Sequence, residues 1–455
     1  MRKIIIILIS VLLLSACTSK VANGDLETMI NSIEEMPIEA DAKIHIGVFD
    51  DNFGQVITNY LNEQYPDVYT YSVIDESLKL DISEYDIVQT LIEYTPLMSE
   101  NLNPIDEKLN VILENDYIEK YTKDVNQVEN YFMPFDSKGL LFAYNKTMLE
   151  SFGIDLSDSN DDKLPEAIDS FEKISELANK WEADQVTYRD DLLSSVFSFP
   201  FNEQLAMLSF IQNSNYSIVS GSKGEELNIG EDLYNALSTY QSLGETSWQF
   251  NGLENSDMLW NYEEVLELQS APFLLVGNWM YYEDYQASQA YELVFTKLPS
   301  LNGADLSTLS SVSGFVLNKD SLYPNAQNLF LKAIKDQKGI EFTIDSGIIP
   351  IIDPAYIKDL EKIVSSNIEE MIVAYTHSEY ISLQAFEKDP SIIAFKIFYE
   401  VDFRDVWKEL FLGEIEVDEA YSRMLDKINE WISNNNLELE GIEYELEEDN
   451  SEGND

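Results

Sequence analysis

The chain carries one cysteine, Cys17, and two histidines, His45 and His377, in 455 residues. Without a second thiol there is no internal disulfide, and zinc sites of three or four His and Cys ligands cannot be assembled. Basic residues are scarce as well: 28 Lys and Arg stand against 84 Asp and Glu, a formal charge of −56. Affinity for nucleic acid comes largely from Lys and Arg that neutralise phosphates, so this composition excludes nucleic acid as a partner. The same repulsion applies to anionic lipid headgroups. No HExxH, Gly-x-Ser-x-Gly or phosphate-cradling glycine loop occurs in the sequence. Paired carboxylates are too common among 84 acids to argue for or against a glycosidase. The chain is therefore read as a non-enzyme with no cofactor and no metal. Stability has to come from a large apolar core, and 455 residues suffice for two domains of ordinary size.

Long hydrophobic runs are confined to one place. Arg2 and Lys3 precede the apolar run Ile4 to Leu14, broken only by Ser10, and the small residues Ser15 and Ala16 follow. That is the layout of a signal peptide. The run is too short to span a bilayer, which needs about 20 apolar residues. The segment Leu14-Ser15-Ala16-Cys17 resembles the lipobox of bacterial lipoproteins. The resemblance implies that Cys17 is lipidated and becomes the mature N-terminus. Each buried CH₂ contributes about 0.8 kcal/mol, so two or more acyl chains make a stable anchor. The expected location is the extracytoplasmic face of the cell membrane of a Gram-positive bacterium, with membrane contact through the lipid alone. Residues 18–41 read as a polar linker. At the other end, residues 437–455 are acidic without a basic residue and read as a disordered, solvated tail.

Between the ends, strand and helix patterns alternate. Lys43 to Phe49 reads as a strand closed by Asp50-Asp51-Asn52. Val56, Ile57, Tyr60 and Leu61 then recur at helical spacing, followed by strands at Val68 to Ile74 and Tyr85 to Val88. Pro165 to Lys180, Asn325 to Lys335 and Val417 to Ile432 each place apolar residues on one helical face. Such alternation predicts an α/β class with βαβ units. Asp155 to Asp162 is similar to a calcium loop but lacks the glycine at its sixth position, so a solvated loop is the better reading.

Six segments, in order, resemble the family-1 extracellular solute-binding proteins. Phe142-Ala143-Tyr144-Asn145-Lys146, running on to Gly153-Ile154, resembles the family's strand-to-helix segment, with Pro165 to Lys180 where its next helix stands. Leu275-Val276-Gly277-Asn278-Trp279 resembles its Gly-x-Trp turn. Leu298-Pro299, then Gly314 to Lys319 and the helix from Pro324, resemble its Leu-Pro, strand and helix. Gly347-Ile348-Ile349-Pro350 resembles its Gly-x-Ile-Pro loop, and Leu412 to Ala420 its approach to the last helix. The resemblance covers roughly residues 42–433. It implies a two-lobed, type II periplasmic-binding-protein-like fold, each lobe a parallel-rich sheet flanked by helices, joined by a hinge. The lobes implied are 42–139 plus 312–349 and 140–311 plus 350–436. Crossings are expected near Ser137 to Leu141, Ser311 to Phe315 and Ile349 to Ile351.

The implied function is capture of a small solute, with an oligosaccharide the favoured class, and its delivery by a monomeric receptor to the transmembrane subunits of an ABC permease. The alternatives are a surface lipoprotein that serves adhesion or presents a ligand to a sensor, and a surface hydrolase. By the resemblance, Trp279 reaches the ligand, with Tyr281 and Tyr282 beside it; core packing is the competing role. Asp50 and Asn52 end the first strand and point at the cleft or cap the next helix. Gln89, Thr90, Glu93 and Tyr94 follow the third strand, and Phe135 and Asp136 precede the first crossing. Trp248 and Trp260 read as core. Many carbohydrate-binding members carry an aromatic where Ser313 stands here, which weakens the sugar assignment; Ser313 instead offers a hydrogen bond to the ligand.

Overall fold

A computed structural model describes residues 37–75, 82–106, 109, 130–159, 162–188, 191–192, 196–198, 234, 237–238, 240–241, 266–267, 269, 271–278, 286, 290–301, 303, 305–306, 308–352, 366–377, 380–382 and 400–434. The first strand, β1 (Ile44–Val48), buries Ile44, Ile46 and Val48. Helix α1 (Asp51–Gln64) covers it through Phe53, Ile57 and Leu61, spaced four apart on one face. Strands β2 (Tyr69–Val73) and β3 (Ile87–Leu91) both run parallel to β1.

The long strand β4 (Met133–Asn145) changes partners along its length. Its first half pairs with a later strand as far as Gly139, and its second half begins new pairings at Leu140. Asn145 ends the strand and caps α2 (Lys146–Ser151), its Oδ1 accepting from Met148 N at 2.9 Å. Gly153 follows with φ 74°, while Gly153 N and Ile154 N donate to Glu150 O and Leu149 O. This is a Schellman exit, which requires a left-handed residue, and it gives the Tyr-Asn-Lys to Gly-Ile segment its physical reason.

Helix α3 (Phe171–Asp184) begins six residues later than the pattern from Pro165 predicts. The stretch before it is held otherwise: Ser170 bridges Ser300, and Phe171 N donates to Ser300 O at 2.8 Å. Ile168 is still fully buried, so its apolar period comes from packing rather than from a helix. Strands β5 (Phe197–Ser198) and β6 (Phe273–Gly277) run parallel, and β6 and β7 (Leu293–Thr296) flank β4 antiparallel.

Strand β8 (Thr308–Asn318) returns antiparallel beside both β3 and the first half of β4. The order across the sheet is β2-β1-β3-β8-β4-β6-β5. Helix α4 (Pro324–Lys335) has Pro at its first turn, and α5 (Gln337–Asp345) follows a one-residue break at Asp336. Helix α6 (Ser366–His377) packs on β7, and β9 (Tyr380–Ser382) runs parallel to the start of β8. Helices α7 (Arg404–Phe411) and α8 (Val417–Asn434) complete the described chain.

Two bodies of apolar core result. One gathers Ile46, Phe53, Phe135, Phe315 and Phe330 around β1, α1 and α4, with Val88, Phe132 and Val316 on the opposite sheet face. The other gathers Phe142, Phe171, Phe273, Trp407 and Met424, backed by Leu141, Val276, Phe295 and Met371. Helix α5 lies between them: Phe342 packs edge-on to Tyr60 of α1 at 5.4 Å, while Ile340 and Ile344 join the second body.

At the junction, the β4–β8 register shifts between Ser313 and Gly314. A Cβ on Gly314 would stand 2.3 Å from Met133 O and 2.5 Å from Phe132 Cζ. The clash is with backbone, which cannot swing aside. Gly314→Ala is therefore expected to destabilise by about 1–3 kcal/mol, as overpacking does. Urea unfolding reads this directly, and an unchanged midpoint would refute the close approach.

Candidate functional site

Open sheets bind ligands at the carboxyl ends of their strands. Here Leu91, which ends β3, pairs with Ser313, and Ser313 pairs with Asp136 just before β4 leaves the first body. The carboxyl ends of β1 and β3 thus reach the level at which the chain crosses to the second body. From the other side β6 ends at Gly277, opposite Leu140. Strand ends of both bodies converge on the crossing, and this is the candidate ligand site.

The buried polar groups at this level form a chain of hydrogen bonds. Phe49 N donates to Gln89 Oε1 at 2.9 Å, and Gln89 Nε2 donates to Ser313 Oγ at 2.8 Å. Ser313 Oγ in turn donates to Asp136 Oδ1. Gln89, Asp136 and Ser313 are each no more than 3% exposed. Lys335, at the end of α4, adds a cation: the residue is half-buried and its Nζ donates to Ile351 O at 3.4 Å. Burial lowers its pKa to about 8, against the opposing pull of the Asp136 carboxylate.

Several residues expected at the ligand have partners within the fold. Asp50 caps α1, Oδ1 accepting from Phe53 N at 2.7 Å. The Ser313 hydroxyl, expected to bond a ligand, donates to Asp136. Phe135 lies in the first core against Phe53 and Phe315, with ring centres at 4.7 and 5.1 Å. Thr90 is buried, its hydroxyl 3.4 Å from Leu91 O. Glu93 and Tyr94 lie in the turn Ile92–Tyr94 after β3, and the half-buried Tyr94 packs on the first body. Asn52 is exposed, its Nδ2 3.4 Å from Ser346 Oγ at the end of α5. Trp279, Tyr281, Tyr282, Trp248, Trp260 and Cys17 lie outside the described residues.

Sequence reading missed Asn278 although it sits inside the Gly-x-Trp segment. Gly139 N donates to its Oδ1 at 3.2 Å, and its Nδ2 donates to Ser137 O at 3.0 Å. Tyr375 of α6 donates to Gly139 O at 3.0 Å. No sequence pattern announces either contact, because both bind backbone far away in the chain.

Elsewhere the polar clusters are structural. His45 Nε2 lies 2.9 Å from Ser72 Oγ and its ring 5.0 Å from Tyr85. In the acidic loop, Asp155, Asp158 and Asp162 accept from the backbone of Ser157, Lys163 and Leu164, and Asp162 pairs with Lys297 at 2.9 Å. Among the described residues no group of three His, Cys, Asp or Glu is placed to hold a metal ion, and no helix is long and apolar enough to cross a membrane.

The lowered pKa of Lys335 makes a pH prediction with a fixed sign. Between about 8 and 10.5 the unfolded chain holds a proton that the folded chain has released. Stability contributed by this group therefore rises with pH across that window. Wild type should gain on Lys335→Met from pH 8 to pH 10 in chemical unfolding. A constant difference would mean that the ammonium is not buried.

No protein-family model and no curated protein sequence matches the chain. Solved structures do match. A cyclo/maltodextrin-binding protein complexed with maltotetraose aligns over 87% of this chain and 98% of its own, with TM-score 0.59 and 13% identity. A sugar transporter from Rhizobium etli, in an open conformation, aligns over 85% and 99%, with TM-score 0.58 and 13% identity. A maltodextrin-binding protein of L. casei BL23, solved without ligand, aligns over 87% and 100%, with TM-score 0.55 and 15% identity. At such identities the likeness is one of fold: the chain has the two-lobed α/β fold of these binding proteins, with the crossing strands between its lobes.

Proposed function

We propose that the chain is the lipid-anchored, extracytoplasmic solute-binding component of an ABC importer. It captures a small solute between its lobes, an oligosaccharide being the favoured class, and closing of the lobes presents the loaded form to the permease. The observation that carries this reading is the fold. Over almost their entire lengths, the matching structures are of maltodextrin-binding and sugar-transport proteins. Three features of the chain itself support it. Strand ends of both lobes converge on one level, where ligands of open sheets bind. Periplasmic binding proteins close around ligands by hinge motion, and a set of strands crossing between lobes suits that motion. The segment ending at Cys17 supports lipid anchoring.

The Ser313 site tempers the sugar class in one respect. Ser313 is tied to Gln89 and Asp136, so this position supplies no stacking surface. Stacking would fall instead to aromatics of the second lobe, Trp279 first among them.

A thermal-shift screen tests the reading, using maltotetraose and other oligosaccharides, polyols, amino acids and peptides. A ligand at 100 times its dissociation constant adds about 2.7 kcal/mol of stability. A shift from one glycan class that Trp279→Ala abolishes is the expected result; no shift from any compound would overturn the importer assignment. Separately, Cys17→Ser should abolish incorporation of a fatty-acid probe and release the protein from membranes. Continued membrane association would reject the anchor.

A further inference from the structure

Strand β4 pairs first with β8 and then with β6 and β7, and its side chains enter the cores of both lobes. A strand so enclosed should be closed to water throughout. Twelve of its thirteen residues are buried, and Lys138 alone is half-buried. The opening falls between the two bodies of core, since Phe135 belongs to the first and Leu140 to the second. It therefore stands at the level on which the strand ends of both lobes converge. Composition does not favour a lysine there, because the chain has 28 basic residues against 84 acidic ones.

Side chains of the second lobe fasten the backbone around this open residue. The Asn278 amide holds both peptide groups that flank Lys138: its Nδ2 donates to Ser137 O at 3.0 Å, and Gly139 N donates to its Oδ1 at 3.2 Å. Tyr375 of α6 donates to Gly139 O at 3.0 Å. Alternation along a strand puts Lys138 on the same face as Asp136. The Asp136 carboxylate accepts from Ser313 and attracts the Lys335 ammonium. Two lysines and one buried carboxylate thus stand at the crossing.

We propose that Lys138 contacts the captured solute, that this solute is an oligosaccharide bearing a carboxylate, and that Asn278 is a positioning residue that holds the lysine toward it. A lysine ammonium has three donors and no acceptor, so it suits an anionic oxygen better than a hydroxyl, which must both give and take. Closing of the lobes strips water from an ammonium between them, and a charge so desolvated needs an opposite charge beside it. Hydrogen bonds between ionised partners are also roughly twice as strong as neutral ones. The charge of −56 on the chain repels polyanions, which leaves a sparsely charged acid as the class that fits.

This role for Lys138 rests on the reading of the chain as an oligosaccharide receptor, and the choice of probes separates the two. Isothermal titration of the full chain uses tetragalacturonate and sialyllactose, each beside its methyl ester, together with maltotetraose. An ester keeps the shape of its acid and loses the charge. One of the acids should bind about 10- to 100-fold more tightly than its ester, and Lys138→Met should remove that ratio. Lys138→Arg, which keeps the charge, should retain most of it. Asn278→Ala should weaken the acid and leave the ester unchanged, a selectivity that poorer folding alone would not produce. Binding confined to uncharged or non-saccharide compounds, or equal loss for acid and ester in Lys138→Met, overturns the role while the receptor reading stands. If nothing in the wider screen binds, both fall.

Discussion

Peptide groups that pass between two packed bodies must stay hydrogen-bonded on the way, because a buried amide or carbonyl without a partner costs as much as a lost hydrogen bond. That requirement organises the centre of this molecule. Strand β4 meets it by pairing with β8 on one side of the junction and with β6 and β7 on the other. Where the ladders change over, side chains fill in: Asn278 serves Gly139 N and Ser137 O, and Tyr375 serves Gly139 O. The buried link from Phe49 through Gln89 and Ser313 to Asp136 gives these three side chains partners on the first-lobe side. A buried chain of this kind favours a single geometry, since a half-satisfied one would be worse than an apolar core.

What was legible in the sequence followed from local rules. The strand-to-helix segment from Phe142 to Ile154 and the helix from Pro324 were legible because what shapes them acts within four residues: Asn145 as a cap, Gly153 as a helix exit and Pro324 at a first turn. The three strands and the helix of residues 42–91 were equally open, because burial on one face imposes a period. Helix α3 was misplaced at its start for the opposite reason. Its first turn is displaced by bonds to Ser300, well over a hundred residues away, and no local pattern records them.

The site divides along the same line. Gln89, Asp136 and Ser313 stand at the crossing, though Gln89 and Thr90 lie inside β3 rather than after it as expected, because the strand runs on to Leu91. Their roles were not legible: whether a polar side chain faces a ligand or a neighbour depends on which partner stands opposite, and Gln89 and Ser313 meet across 224 positions. Asp50 shows the ambiguity at short range, where one residue type suits both a cap and a ligand contact, and the cap has it. Lys335 gave no signal at all, since an amphipathic helix ordinarily ends in a lysine that points to water.

The balance of forces at the junction limits how a solute can act. A ligand shifts the lobes only by as much as it binds the closed arrangement better than the open one. If closing broke the bonds at Gly139, or parted Gln89 from Ser313, that difference would be spent on desolvated groups left without partners. Bending that left both sets of bonds in place would avoid the loss. On the proposed reading, the differential free energy of a few solute contacts would then be enough to shift the two bodies.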